Sequence, residues 1–176
     1  MLSIKLDIIG LDTTLAFYDG MIARIADMTP AFKDIRLDFI ASEKELFASE
    51  GGSGENGTWD DWSESYTEWR EWEHPEAGTN KMILSGGLLD SLVGAGPGHV
   101  ARMTANTMEV GSDLPAKDGQ SLAFIHARGF TAKYPYGNTA ASPIRVASQR
   151  KTIDPTTSEI DTWTRMIFSR ILGEIV

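Results

Sequence analysis

Ile83-Leu84-Ser85-Gly86-Gly87-Leu88-Leu89-Asp90-Ser91-Leu92 joins a glycine turn to a short apolar run. Leu88, Leu89 and Leu92 fall on one side at three- and four-residue spacing, which predicts a short helix between Met82 and Val93 after the Gly86-Gly87 turn. Gly94 and the Gly96-Pro97-Gly98 group end it. From His99 to Gly111 the pattern changes. Val100 and Met103, then Met108 and Val110, lie on either side of Ala105-Asn106, which predicts the two strands of a hairpin. A helix leading into a hairpin points to an α+β fold, with a small antiparallel sheet packed against helices.

Working outward toward the amino end, Ile4, Leu6 and Ile8 alternate with polar residues as a short strand would. After Asp12 and Thr13, Leu15, Tyr18, Ile22 and Ile25 recur at helical spacing. A second helix is expected from Thr29-Pro30, with Phe32, Ile35, Phe39 and Phe47 on one side, so the amino end reads as a helical pair. Gly51 to Gly57 reads as a flexible loop. Trp59, Trp62, Tyr66, Trp69 and Trp72 then form a stripe on a helix expected from about Trp62 and ended by Pro75.

Toward the carboxyl end, Lys117 to Gln120 is expected as a turn, and Leu122 to Ala127 fits either a strand or a short helix. Tyr134 to Asn138 reads as an exposed loop and Arg145 to Ile153 as a further strand. Asp154-Pro155 is expected to open a long closing helix, with Ile160, Trp163, Ile167, Ile171 and Ile175 recurring every three or four residues. No internal repeat divides the chain. It reads as one domain over 1–176, with an amino-terminal strand and helices to 50, loop and aromatic helix over 51–80, and sheet and closing helix over 81–176.

A chain of 176 residues can bury a core. It has no cysteine, hence neither a disulfide framework nor a thiolate metal site, which fits assembly in a reducing cytoplasm. The start lacks a signal-peptide pattern and no run approaches a membrane span, so neither secretion by the usual route nor a membrane partner is expected. The formal charge of −9 is uneven: residues 1–80 hold 17 acidic and 6 basic side chains, and residues 81–176 hold 8 and 10. An acidic half repels duplex phosphate, which disfavours specific DNA binding but suits a channel through which DNA must slip; a solvated, solubilising face is the simpler reading.

Little catalytic chemistry is indicated. His74, His99 and His126 are the only histidines, and none has the spacing of a metal site. No phosphate-binding loop or dinucleotide fingerprint is present, and Ser85-Gly86-Gly87 lacks the frame of a nucleophile elbow. His126 reads more simply as a structural histidine bonded to backbone than as a general base. No cofactor and no enzymatic activity are expected. The main rival reading is a carbohydrate-binding module or small glycosidase built from the tryptophans and the interleaved Asp60, Asp61, Glu64, Glu68, Glu71 and Glu73. An acidic DNA mimic is a further alternative. Burying one such tryptophan is worth roughly 2–3 kcal/mol, so an aromatic stripe on a helix is more simply packed against its own domain or a neighbouring subunit.

As an ordered set, these segments resemble the virion-morphogenesis, or tail-completion, family of tailed bacteriophages, which is similar in style to head-tail joining neck proteins. The resemblance rests on Trp59 through Trp62, Tyr66 and Trp69 to Arg70, then Ile83-Leu84, Ser85, Gly86, Leu88 and Ser91, then Val110-Gly111. It continues with Leu122-Ala123-Phe124-Ile125-His126-Ala127-Arg128-Gly129, similar to a Tyr-Ala-x-x-His-x-x-Gly segment, and with Ser142-Pro143-Ile144-Arg145. Leu122 replaces the aromatic of that pattern, Gly87 adds a second glycine to the turn, and Pro115 to Gln120 resembles an insertion. The resemblance implies a non-enzymatic structural protein of the virion neck, assembled in the host cytoplasm as a ring of six subunits between head connector and tail tube. Its partners would be copies of itself and other neck and tail proteins, with DNA passing through unbound; a tail terminator of the same neck is the close alternative. Ring closure would use a heterologous interface, in which the aromatic stripe and the Gly51 to Gly57 loop could take part.

Overall fold

A computed structural model describes residues 10–173 except 84, 95, 117–118, 129, 134–143 and 148–149; for 65, 130–133 and 144–147 it describes the backbone only. The strand expected at Ile4 to Ile8, the loop at Tyr134 to Asn138, and Ile175 lie outside the described residues. The order is α1 (Leu11–Ala26), α2 (Thr29–Ala48), α3 (Glu64–Glu73), a single 3-10 turn (Pro75–Ala77), α4 (Gly87–Val93), β1 (His99–Met103), β2 (Met108–Ser112), α5 (Leu122–Arg128), β3 (Phe130–Lys133), β4 (Ile144–Ala147) and α6 (Thr157–Leu172). The fold is α+β, with two antiparallel hairpins, β1–β2 and β3–β4, set among helices.

The deciding segment behaves as its pattern requires. Gly86 (φ +78°) and Gly94 (φ +87°) bracket α4 in the left-handed conformation that glycine enters without steric cost. Leu88 and Leu92 are buried, and α4 packs on α2 and on both strands of the first hairpin. That hairpin pairs His99 with Ser112 through Met103 with Met108, and Thr104 N–H donates to Thr107 O across the tip at 2.9 Å. The tip also serves α2, whose flanking Met28 N–H donates to Ala105 O at 2.7 Å. The core gathers Phe39, Leu46 and Phe47 of α2 with Trp59, Met82, Leu88, Leu92 and Ala123.

Several expectations need correction. The two amino-terminal helices form, but α1 packs chiefly on α6 instead of pairing with α2. Leu15, Tyr18, Ile22 and Ile25 are exposed, so periodicity identified the helix but not what its apolar side faces. The aromatic helix starts at Glu64, after Ser63, so Trp59 and Trp62 belong to the loop before it. Leu122 to Ala127 resolves as the helix α5. Of the strand expected over Arg145 to Ile153, β4 occupies Ile144–Ala147, paired with β3, which the sequence reading did not foresee. The expected turn at Lys117 to Gln120 is only partly described, with Pro115 and Ser121 bridging across it.

The closing helix is capped by Thr156, not by Asp154. Thr156 Oγ1 accepts from Glu159 N–H at 3.2 Å, while the Glu159 carboxylate accepts from Thr156 N–H, the reciprocal pair of a capping box. Asp154 is buried and holds the glycine-rich loop, accepting from Asn56 N–H at 2.9 Å. Thr157 N–H donates to Glu55 at 3.1 Å, and Trp59 N–H closes the loop onto Glu50 O at 2.7 Å. Composition suggested flexibility, but the bonds to Asp154 and Thr157 tie the loop to the start of α6 and the segment before it.

Gly51 shows how tightly. It has φ +90°, and an added Cβ would sit 2.6 Å from Trp59 Cδ1 and 2.9 Å from Gly57 O. Gly57, at φ +75°, has nothing within 4 Å of that position. Gly51→Ala is therefore expected to cost about 2–4 kcal/mol from strain and overpacking, and Gly57→Ala only about 1–2 kcal/mol from backbone strain. Urea unfolding of the pair checks this.

Candidate interaction surface

The aromatic segment is a structural brace. Trp59 is buried, its ring 5.3 Å from Phe47 at 84°, and its Nε1–H donates to Lys151 O at 3.2 Å. Trp62 Nε1–H donates to Lys81 O at 3.1 Å, and the Arg70 guanidinium lies 4.2 Å over the Trp62 ring. Tyr66 bridges Trp62 and Trp69 at centroid distances of 5.6 and 5.3 Å, and Trp69 meets His74 at 5.1 Å. Buried Arg70 donates to Ala77 O at 2.8 Å, to Gly78 O at 3.2 Å and to Ile83 O, closing the return of the chain from α3 toward α4. Lys81 binds Asp61 at 2.8 Å and Trp59 O at 2.7 Å; that pairing raises the ammonium pKa and lowers the carboxyl pKa.

This geometry does not suit a sugar site. Trp59 is inside, and one face of Trp62 carries a guanidinium. Asp60, Asp61, Glu64, Glu68, Glu71 and Glu73 are all exposed, whereas a glycosidase needs carboxyl groups flanking a bound ring. Trp72 alone of the stripe projects outward, at 79% exposure.

The motif residues meet at packing contacts. Ser85 is exposed, Gly86 sets the turn, and Leu88 and Ser91 enter the core. Ser91 Oγ donates to Leu88 O at 2.7 Å and lies 2.6 Å from Ser112 Oγ, beside buried Gly111, which joins α4 to β2. His99 Nδ1 lies 2.8 Å from Ser91 O and its Nε2 3.3 Å from Arg36, so the nearby histidine bonds the backbone carbonyl of Ser91 and not its hydroxyl. No relay of the Ser-His kind is made there.

His126 is half-buried on α5, and its carbonyl accepts from Arg150 N–H at 2.9 Å. Burial, then the Arg150 charge, push its imidazole down to about 4, so it is neutral at pH 7. Arg145 lies on β4 opposite Ala132. Gly129 and Pro143 lie outside the described residues. Among the described residues no three His, Asp or Glu side chains converge as metal ligands would, and no helix is long and apolar enough to cross a membrane.

Two features were not anticipated. Glu43 is buried on α2, and its Oε2 has no hydrogen-bond partner among the described residues. Burial first, then the Glu159 and Asp154 charges, push it up to about 8. Its sequence signal is a carboxylate between Phe39 and Phe47 on the apolar side of α2.

The second is the outer side of the helical layer. Leu11, Leu15, Phe17, Tyr18, Ile22 and Ile25 of α1 are 46–65% exposed, and Ile160, Phe168 and Leu172 of α6 are exposed as well. Arg24 Nε–H donates to Ile171 O at 2.9 Å and Arg170 to Asp27 O at 3.4 Å, fastening α1 across the carboxyl end of α6. Such a row, on a helix with no buried residue of its own, is a large apolar surface left open to solvent. No protein-family model, curated protein or solved structure matches the chain.

Proposed function

We propose that the chain is a structural subunit of a tailed-phage neck, which completes the tail and joins it to the head as part of a ring around the DNA channel. One observation carries this reading: the core closes around α2, α4 and the first hairpin while α1 holds six large apolar side chains outward. A subunit of an assembly needs such a surface; a solitary globular protein does not. The motif residues support the same reading, since Leu88, Ser91 and Gly111 serve packing. The acidic first half suits a wall past which DNA slides.

Gold-labelled antibody against the chain, applied to purified particles of a phage carrying the gene, tests the placement. Label at the head-tail junction is expected. Label at the tail tip, or none on particles opened to expose the neck, would overturn it.

A further inference from the structure

Leu11, Leu15, Tyr18, Ile22 and Ile25 are spaced four, three, four and three residues apart. That alternation keeps a helix's apolar side chains on one seam against a second helix. Within the subunit α1 offers α6 a different side, marked by half-buried Gly20, Met21 and Arg24, so the seam meets solvent. Exposed Asp12 and Asp19, seven residues apart, line one edge of it. The other edge, with Thr14 and Met21, carries no charge.

We propose that a second copy of this chain covers the seam, receiving it on the outer face of its α2. The inference rests on the reading of the chain as a ring subunit and supplies that ring with an interface. Pro30, Leu37, Ala41 and Ala48 run along the outer face of α2, all exposed. Leu37, at 67% exposure, is the one large side chain among them, and the small ones leave room for the bulky residues of α1. Exposed Lys33 and Lys44 line one edge of this face, and Asp34 and Glu45 the other.

Charge fixes the orientation. The right-handed winding of both helices sets Asp12 and Asp19 beside the lysine edge when α1 and the neighbour's α2 run parallel. Run antiparallel, the same carboxylates would face Asp34 and Glu45, so like charges exclude that arrangement. Among the described residues none of Asp12, Asp19, Lys33 and Lys44 forms a salt bridge within its own subunit.

Size is sufficient. α1 has 16 residues and so runs about 24 Å. The seam therefore offers about four helical turns to a neighbouring helix. Because two different patches meet, each subunit keeps one free α1 and one free α2 face, and contacts continue head to tail until the ring closes.

Sedimentation velocity on the full chain tests this with variants altered at exposed positions, so circular dichroism should show each of them folded. Wild type is expected to form species larger than dimers. Ile22→Asp and Leu37→Asp, each with one spoiled face, are expected to associate at least ten-fold more weakly. An equimolar mixture of the two should form dimers that grow no further, since only one good α1 face meets one good α2 face. Asp12→Lys with Asp19→Lys should weaken association, and adding Lys33→Asp with Lys44→Asp should restore it. A wild type that stays monomeric throughout the concentration series would overturn the proposal, and so would a Leu37→Asp variant that associates like wild type. The result stands apart from the neck assignment, which particle labelling decides: self-association without label at the neck would keep the interface and discard the assignment.

Discussion

Glu43→Gln is expected to be more stable than the wild type above pH 6.5, with a gain of about 4 kcal/mol by pH 8. The Glu43 carboxyl ionises near 4.5 when free and is pushed up to about 8 in the folded chain by burial and by the Glu159 and Asp154 charges. Between those values the folded state holds a proton that the unfolded state has lost. Stability therefore falls as pH rises through this window, by up to about 1.4 kcal/mol for each pH unit.

His126 acts in the opposite sense. Its imidazole titrates near 6.5 when free and near 4 when folded, so its contribution is complete above pH 6.5 and is lost as pH falls toward 4. From these two groups the wild type should be nearly level between about pH 4.5 and 6.5 and should fall from there to pH 8. Glu43→Gln should instead gain stability up to about pH 6.5 and then hold level. Denaturant unfolding at a series of pH values compares the two curves; parallel curves would show that Glu43 does not carry the effect.

Trp59→Ala is expected to cost about 3–5 kcal/mol, the range for removing a large aromatic from a packed core. It would vacate the space beside Phe47, which is fully buried, and leave Lys151 O without its indole donor. For a chain of this length the melting temperature should drop by about 10 °C. Trp72→Ala, at an exposed position, should change stability by less than about 0.5 kcal/mol. The contrast is informative because both residues belong to one apparent stripe in the sequence. Equal losses would mean that the two tryptophans are packed alike, contrary to the arrangement of Trp59 inside and Trp72 outside.

The elements that were legible in the sequence are those whose local rules agree with their surroundings. Gly86 and Gly94 mark the ends of α4, Ala105-Asn106 marks the hairpin tip, and Ile35, Phe39 and Phe47 mark the buried side of α2. What was not legible depends on contacts distant in sequence. Nothing local says that Asp154 reaches Asn56 and leaves the cap to Thr156, or that Ser91 meets Ser112. The glycine-rich loop looked mobile because glycine permits many conformations, and the bonds that select one come from Asp154 and Glu50.

The candidate surface was half legible. Spacing revealed the apolar row of α1, since an amphipathic helix has the same signature whether its partner is its own core or another subunit. Only the fold decides between them, and here α6 takes the other side of α1. Glu43 carried a signal that was passed over: a charge four residues from Phe39 and four from Phe47 must either break the helix face or be buried with it.

The most direct test of the neck assignment is electron microscopy of a lysate from a phage, or induced prophage, from which this gene has been deleted, beside the same lysate complemented with the intact gene. The account predicts filled heads and separate tails of normal length, rejoined into infectious particles on complementation. Tails of abnormal length would move the chain to tail termination within the same neck. Intact, infectious particles without the gene would contradict the assignment outright.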